Sequence, residues 1–384
     1  MLQKISFLIV ILGIGFSAFA QDAYLTAKSE DVEKTYVGGD AYEVKTFPQN
    51  FKAKKPKNII FLIGDGMGVS QVFAGLTANH GKLFLENCKH IGFSKTQSAD
   101  NYITDSAAGG TALSAGVKTY NGAIGVDVDK KPVQTILEAA EQKGLATGLV
   151  STSAITHATP ASFIAHQASR SSYEDIAADF LKTDIDVFIG GGYKHFAERK
   201  DGKNLTEELI KKGYTVERDI EKIKTIKSGK LAGLTADEHN GRVAERKDML
   251  PVATETAINI LSNNKKGFFL MVEGSQIDWG GHAGSAIYIT EDMLDFDQTI
   301  GKAIEFAASN GETLVVITAD HETGGMALTG GDMKTGMVKG GFPTGGHTAV
   351  MVPVFAYGPG AEEFVGIMEN TDIPKKMKKL FLPK

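Results

Sequence analysis

Asp278 and His282 stand four residues apart in Asp-Trp-Gly-Gly-His, close enough on one turn to share a cation. Asp320 and His321 form a second carboxylate–imidazole pair, and His347 follows Gly345-Gly346 in a loop too glycine-rich to bury it in an ordinary core. Imidazole nitrogen with carboxylate oxygen suits zinc, and a catalytic zinc site keeps one position open for water or substrate. Asp65, Thr159 and Glu273 offer oxygen only, the donor set magnesium prefers. Thr104 to Thr119 reads as a polar turn followed by small residues that open a helix, with Ser106 at its start. A helix N-terminus carries unpaired N–H groups and partial positive charge, so a hydroxyl there faces the place where phosphate or another anion is most easily held. Ser106 is therefore a candidate nucleophile. Taken singly, each feature has a plain structural reading: Asp105 or Ser106 caps a helix, an Asp–His pair is a surface hydrogen bond, and Asp65-Gly66-Met67-Gly68 is a turn.

The elements that carry these residues decide between the two readings. Asn58 to Ile63 is an uninterrupted apolar run, as expected of a strand buried on both faces of a parallel sheet, and it ends at Gly64-Asp65. The same pattern recurs at Leu145–Val150, which leads into the polar turn Ser151–Pro160 and then a predicted helix over Ala161–Ser169. It recurs again at Asp186–Ile189, at Gly267–Val272 before Glu273, at Thr313–Thr318 before Asp320, and at Val352–Tyr357. Helical patterns lie between them at Val133–Gln142, Leu250–Ser262 and Ile289–Ala308. Repeated βα order predicts an α/β fold: an open, mostly parallel central sheet flanked by helices on both faces. In such sheets ligands bind beyond the carboxyl ends of the strands, which is where Asp65, Glu273, Asp320 and His321 fall. Residues 196–250, richer in charge, are expected to be a peripheral excursion of helices and loops, and residues 21–57 an N-terminal arm.

Composition sets the compartment and the class of partner. Residues 1–20 read as a secretory signal, with Lys4, an apolar stretch Ile5–Phe16 and the small-residue site Ala18-Phe19-Ala20, so cleavage after Ala20 would leave residues 21–384 as a single catalytic domain. No other stretch is long and apolar enough to span a bilayer. The net charge of -5 includes only Lys4 from that segment. A mildly acidic chain gives no support for a nucleic-acid or membrane partner. Cys88 is the single cysteine, which excludes an internal disulfide and leaves histidine and carboxylate as the metal donors. His80, His90, His166, His195 and His239 have no carboxylate at useful spacing and read as structural or surface residues.

The chain resembles an alkaline phosphatase. The matching stretches are Gly64-Asp65-Gly66-Met67-Gly68, Thr104-Asp105-Ser106-Ala107-Ala108 with Gly116-Val117-Lys118-Thr119, His157-Ala158-Thr159-Pro160 with Arg170, Val272-Glu273-Gly274 with Asp278 and His282, Thr318-Ala319-Asp320-His321-Glu322, and His347-Thr348. The resemblance implies hydrolysis of small-molecule phosphate monoesters of broad range through phosphoserine on Ser106. It implies one zinc on Asp278, His282 and His347 and a second on Asp65, Asp320, His321 and the Ser106 oxygen. A magnesium would sit on Asp65, Thr159 and Glu273, with His157 near it, and Arg170 would grip the phosphate. His157 stands where some members carry aspartate, and Trp279 where others carry lysine or histidine. The segment between His321 and His347 is short for the family, which implies a reduced surface subdomain and leaves a homodimer open. A periplasmic or secreted location follows from the signal.

Three rival readings are weighed at this stage. A sulfatase would need Cys or Ser followed by x-Pro-x-Arg, which Ser106-Ala107-Ala108-Gly109 lacks; a metal phosphodiesterase would not be expected to keep Arg170 beside the Thr159–Glu273 oxygen set. An exported solute-binding protein explains the sheet and the signal but leaves the metal-ligand pairs unused.

Overall fold

The computed structural model describes residues 31–382, so the expected signal at residues 1–20 lies outside them. A ten-stranded sheet runs through the molecule in the order Gly366–Glu369, His90–Lys95, Val352–Tyr357, Thr313–Thr318, Asn58–Gly64, Phe268–Gly274, Ala146–Ala154, Val187–Gly191, Lys230–Leu234, Tyr214–Glu217. Val352–Tyr357 is antiparallel to both neighbours. Every other adjacent pair is parallel. The open, mostly parallel sheet expected from the sequence is therefore what the chain builds.

The apolar run at Asn58 is continuous because both faces of the sheet are covered. Ile59, Phe61 and Ile63 enter one core with the helices Ser106–Ala115, Ile136–Gln142 and Asp372–Phe381. Ile60 and Leu62 enter a second core, shared with the helices Val69–Ala78, Met249–Leu261 and Ala286–Asn310. Alternation with period two thus feeds two cores from one strand.

Several boundaries differ from the sequence reading for identifiable reasons. The helix expected from Val133 begins at Ile136, because Thr135 caps it: its Oγ1 accepts from Glu138 N–H at 3.1 Å while Glu138 Oε2 accepts from Thr135 N–H at 2.9 Å. The helix expected over Ala161–Ser169 is a correction. Only Ala158–Ala161 is helical, and the chain then turns so that Gln167 exchanges backbone hydrogen bonds with Ile124 at 2.9 and 3.0 Å. Residues 196–250 are also more than an excursion, since Tyr214–Glu217 and Lys230–Leu234 extend the sheet to its edge.

The N-terminal arm is strapped to the body. Thr35–Tyr36 pairs with Met337–Gly341, and Tyr42 Oη donates to Asp297 Oδ2 at 2.6 Å. Between His321 and His347 the described chain forms the two-residue strand Glu322–Thr323, the hairpin Ala327–Asp332 with Met337–Gly341, and connecting turns.

Candidate active site

Asp65 sits where the Asn58–Gly64 strand ends, its N–H still bonded to Gly274 O at 3.1 Å. Gly66 follows at φ +74°, and a Cβ there would lie 2.6 Å from Asp278 Cα, so glycine is what lets this turn pack against the helix Gln276–Ala283. That helix carries Asp278 in its first turn and His282 in its last. Asp320 and His321 follow the strand Thr313–Thr318, and His347 precedes the antiparallel strand Val352–Tyr357, so it reaches the same sheet edge from the other direction.

Ser106 is the first residue of its helix and is buried. Asp105 caps the helix, its Oδ1 accepting from Ala108 N–H at 2.9 Å. Glycines bring this helix close to its neighbours. A Cβ at Gly109 would lie 3.1 Å from Asp320 Cβ, and one at Gly110 3.3 Å from Thr159 Cα. Ser106 Oγ consequently stands 3.3 Å from His321 Nε2.

The Asp and His donors expected to hold zinc converge. His321 Nε2 is 3.5 Å from Asp65 Oδ1 and 3.2 Å from Asp320 Oδ2. His282 Nε2 is 3.3 Å from Asp278 Oδ2 and 3.2 Å from His347 Nε2, while His347 Nε2 is 3.6 Å from Asp278 Oδ1. Donor atoms of Asp278, His321 and His347 lie within 4.8 Å of one another, as do those of Asp65, Asp320 and His321.

Charge in this pocket is unbalanced by protein alone. Burial, and then Asp320, Asp278 and Glu273, push the Asp65 carboxyl well above the usual range. Burial and then Asp278 push Asp320 up to about 7, and burial raises Glu273. Burial acts on Asp278 too, but His282, His347 and His321 outweigh it and hold that carboxyl below its usual range. Burial opposes the charge on His282, which Asp278 nevertheless lifts to about 9; burial and neighbouring imidazoles lower His321 and His347. Among the described residues, both Asp65 oxygens, Asp320 Oδ2, Glu273 Oε1 and Thr159 Oγ1 are buried without a hydrogen-bond partner. Unpaired oxygens on crowded, buried carboxylates are costly unless cations complete them, so the donor set fits divalent metal. The nitrogen-containing groups suit zinc, and the oxygen-only group suits a harder ion.

Arg170 approaches from the other side of the cleft. Its Nη1 donates to Asp105 Oδ2 at 3.1 Å and its Nη2 to His157 Nε2 at 3.2 Å, a guanidinium having only hydrogens to give. Burial works against its charge, but Asp105 keeps it firmly protonated. A cleft of about 910 Å³ is lined by Ser106, Arg170, His157, Asp278, His282 and His347 together with Trp279. The Trp279 ring meets His157 and His239 edge-on at 6.3 and 5.0 Å between centroids.

Some residues were not singled out by sequence. Asp105 was read as a cap only, although it also fixes Arg170 across 65 residues. Ser151 Oγ donates to Glu273 Oε2 at 2.5 Å, and Thr323 Oγ1 donates to Asp278 Oδ1. The available signal was Ser151-Thr152-Ser153, a polar run on a strand with no exposed face. Two of the remaining histidines do have carboxylate partners, a correction: His166 Nε2 is 2.8 Å from Glu138 and His195 Nε2 is 3.0 Å from Glu238. The partners are distant in sequence, which spacing could not reveal. Cys88 is buried, as expected of a small hydrophobe.

The sequence profile of the alkaline phosphatase family matches residues 56–339 and 338–382. The chain is 36% identical to alkaline phosphatase 3 of Bacillus subtilis, covering 98% of this chain and 96% of that protein. It is 33% identical to alkaline phosphatase of Escherichia coli, over 85% and 86% of the two chains. The structure of alkaline phosphatase from the Antarctic bacterium TAB5 superposes with a TM-score of 0.81 at 44% identity, covering 86% of this chain and 98% of that one. A His-to-Asp variant of the TAB5 enzyme, described with Mg bound in its M3 site, gives a TM-score of 0.81 at 43% identity over 86% and 99%. On this match of profile, sequence and fold, the chain belongs to the alkaline phosphatase family and is a phosphomonoesterase.

Proposed function

We propose that the chain hydrolyses a broad range of small phosphate monoesters through a phosphoserine on Ser106. The observation that carries this reading is the placement of Ser106 Oγ at a helix N-terminus, 3.3 Å from His321 Nε2, in one cleft with Arg170. The Ser106 oxygen displaces the alcohol from phosphorus, leaving the phosphoryl group on serine; water then cleaves that ester, releasing phosphate and restoring the hydroxyl. Arg170 holds non-bridging oxygens with its planar fork, which Asp105 and His157 keep oriented. The N–H groups of the Ser106 helix add partial positive charge where the phosphoryl group rests.

Asp278, His282 and His347 would hold one zinc, and Asp65, Asp320, His321 and Ser106 the second. Asp65, Thr159 and Glu273 would hold a magnesium, with His157 as a further ligand; a TAB5 alkaline phosphatase variant described with Mg bound supports a hard cation in proteins of this family. Bound cations supply Lewis-acid charge that eases ionisation of the attacking hydroxyl and stabilises the leaving oxygen. Export is part of the same reading, supported by the Ala18-Phe19-Ala20 pattern. Among the described residues no helix is long and apolar enough to cross a membrane.

Acid quenching of the enzyme during turnover of a 32P-labelled monoester tests the proposal. Label should appear on a serine peptide containing residue 106 and vanish in Ser106→Ala. Persistent phosphoenzyme in that variant would remove Ser106 from the role.

A further inference from the structure

We infer that Glu322 is a positioning residue that fastens together the three loops carrying Asp65, Asp320 with His321, and His347, an inference that rests on reading those residues as cation ligands. Glu322 is 4% exposed and follows His321 directly. Its Oε1 accepts from Gln71 Nε2 at 2.7 Å and from Met326 N–H at 3.1 Å. Its Oε2 accepts from Gly325 N–H at 3.2 Å and from the Thr348 hydroxyl.

Each donor belongs to a different part of the ligand framework. Gln71 is fully buried on the helix Val69–Ala78, and its Oε1 accepts from Gly68 N–H at 3.1 Å, which fixes the turn that begins at Asp65. A Cβ at Gly68 would lie 2.5 Å from Glu322 Cγ, so glycine is what admits the carboxylate against that turn. Gln71 Nε2 is shared with Thr323 O at 3.0 Å. Thr348 follows His347, and the two-residue ladder pairs Glu322 with Thr348 and Thr323 with His347. Gly325 and Met326 close the turn after His321. The rings of His321 and His347, carried on two of the loops that Glu322 joins, stack with centroids 3.6 Å apart.

Only a carboxylate meets all four donors. Glutamine has the same shape, but its NH2 group would face two donors instead of accepting from them, and aspartate is one methylene too short to reach both sides. Residues that orient metal ligands from behind typically change affinity or activity ten- to a hundredfold when replaced.

The test compares wild type with Glu322→Gln and Thr348→Val, all loaded with zinc and magnesium. Two quantities are read: the rate at which zinc passes to a chromogenic chelator, and the thermal midpoint of each protein after its metal is stripped. Glu322→Gln should release zinc roughly ten- to a hundredfold faster, and Thr348→Val about tenfold faster with its metal-free midpoint unchanged. Combining Gln71→Leu with Thr348→Val should give less than the product of the two single effects, since both act through Glu322. If Glu322→Gln does not fold, Thr348→Val, which removes one donor only, carries the test alone. Release rates within twofold of wild type, or a Thr348→Val metal-free midpoint that falls in step with its faster release, would overturn the positioning role. A wild-type protein that retains no zinc would instead overturn the cation reading on which the inference stands.

Discussion

On the proposed function, Arg170 is the residue whose behaviour would separate hydrolysis of monoesters from that of diesters. Its two terminal nitrogens have fixed partners, Asp105 and His157, so the guanidinium faces the cleft as a rigid fork. A monoester brings a doubly charged group with three non-bridging oxygens. A diester carries one charge and would place a second substituent where the fork would bind, so on this proposal Arg170 would favour the monoester by attraction and by exclusion. Arg170→Ser should lower kcat/KM for p-nitrophenyl phosphate ten- to a hundredfold, corresponding to a charge-assisted contact of about 1.5–3 kcal/mol. The rate with bis-p-nitrophenyl phosphate should change little, and zinc content should not change. Equal losses on both esters would show that Arg170 does not read the phosphate. The sequence placed Arg170 through family resemblance alone, because nothing local links it to Asp105 or Ser106. The Asp–His pairs were readable from spacing, since Asp278 and His282 share a helix turn and Asp320 and His321 are neighbours.

Among the elements, the ones that sequence predicted best are those with the simplest environments. Thr313–Thr318 and Val352–Tyr357 begin and end where the apolar runs do, because every residue of the first and all but the half-buried Phe355 of the second are buried. Tyr214–Glu217 was missed because an edge strand buries little: only Tyr214 is buried, and the rest carries the mixed polarity of a loop. The turn at residues 162–169 was misread as helix because its apolar residues face the core from irregular backbone. That same turn carries His166, whose Nδ1 lies 2.6 Å from Gly125 O and whose Nε2 lies 2.8 Å from Glu138. The Glu138 hydrogen bond raises the His166 pKa above 6.5. Burial acts against the Glu138 charge, but His166 and the Thr135 N–H outweigh it and bring that pKa below 4.5. The His166 contribution is complete below 6.5 and fades as pH rises through its folded value. The Glu138 contribution is complete above 4.5 and fades as pH falls through its own. Urea unfolding should therefore show that His166→Gln costs more stability at about pH 5.5 than at about pH 8.5. A cost that is constant or larger at the higher pH would rule out this charge pairing.

At the scale of the whole molecule, the sheet explains why residues from 65 to 347 meet. Nine strands point the same way, so their carboxyl ends deliver Asp65, Glu273 and Asp320 to one edge, and the reversed strand Val352–Tyr357 brings His347 to it from the opposite direction. The parallel sheet was legible from repeated βα order. Its strand order, and therefore which ligands become neighbours, was not, because pairing across a sheet leaves no mark on local periodicity. What this assembly creates is a crowded group of buried carboxylates, several of whose oxygens have no hydrogen-bond partner among the described residues, a set that cations would complete. Cations are the central claim of the account. Elemental analysis of the purified mature protein after gel filtration tests it most directly: about two zinc ions and one magnesium per chain should co-elute with the protein, as the three donor sets require. Fewer than one tightly held divalent ion per chain would contradict it.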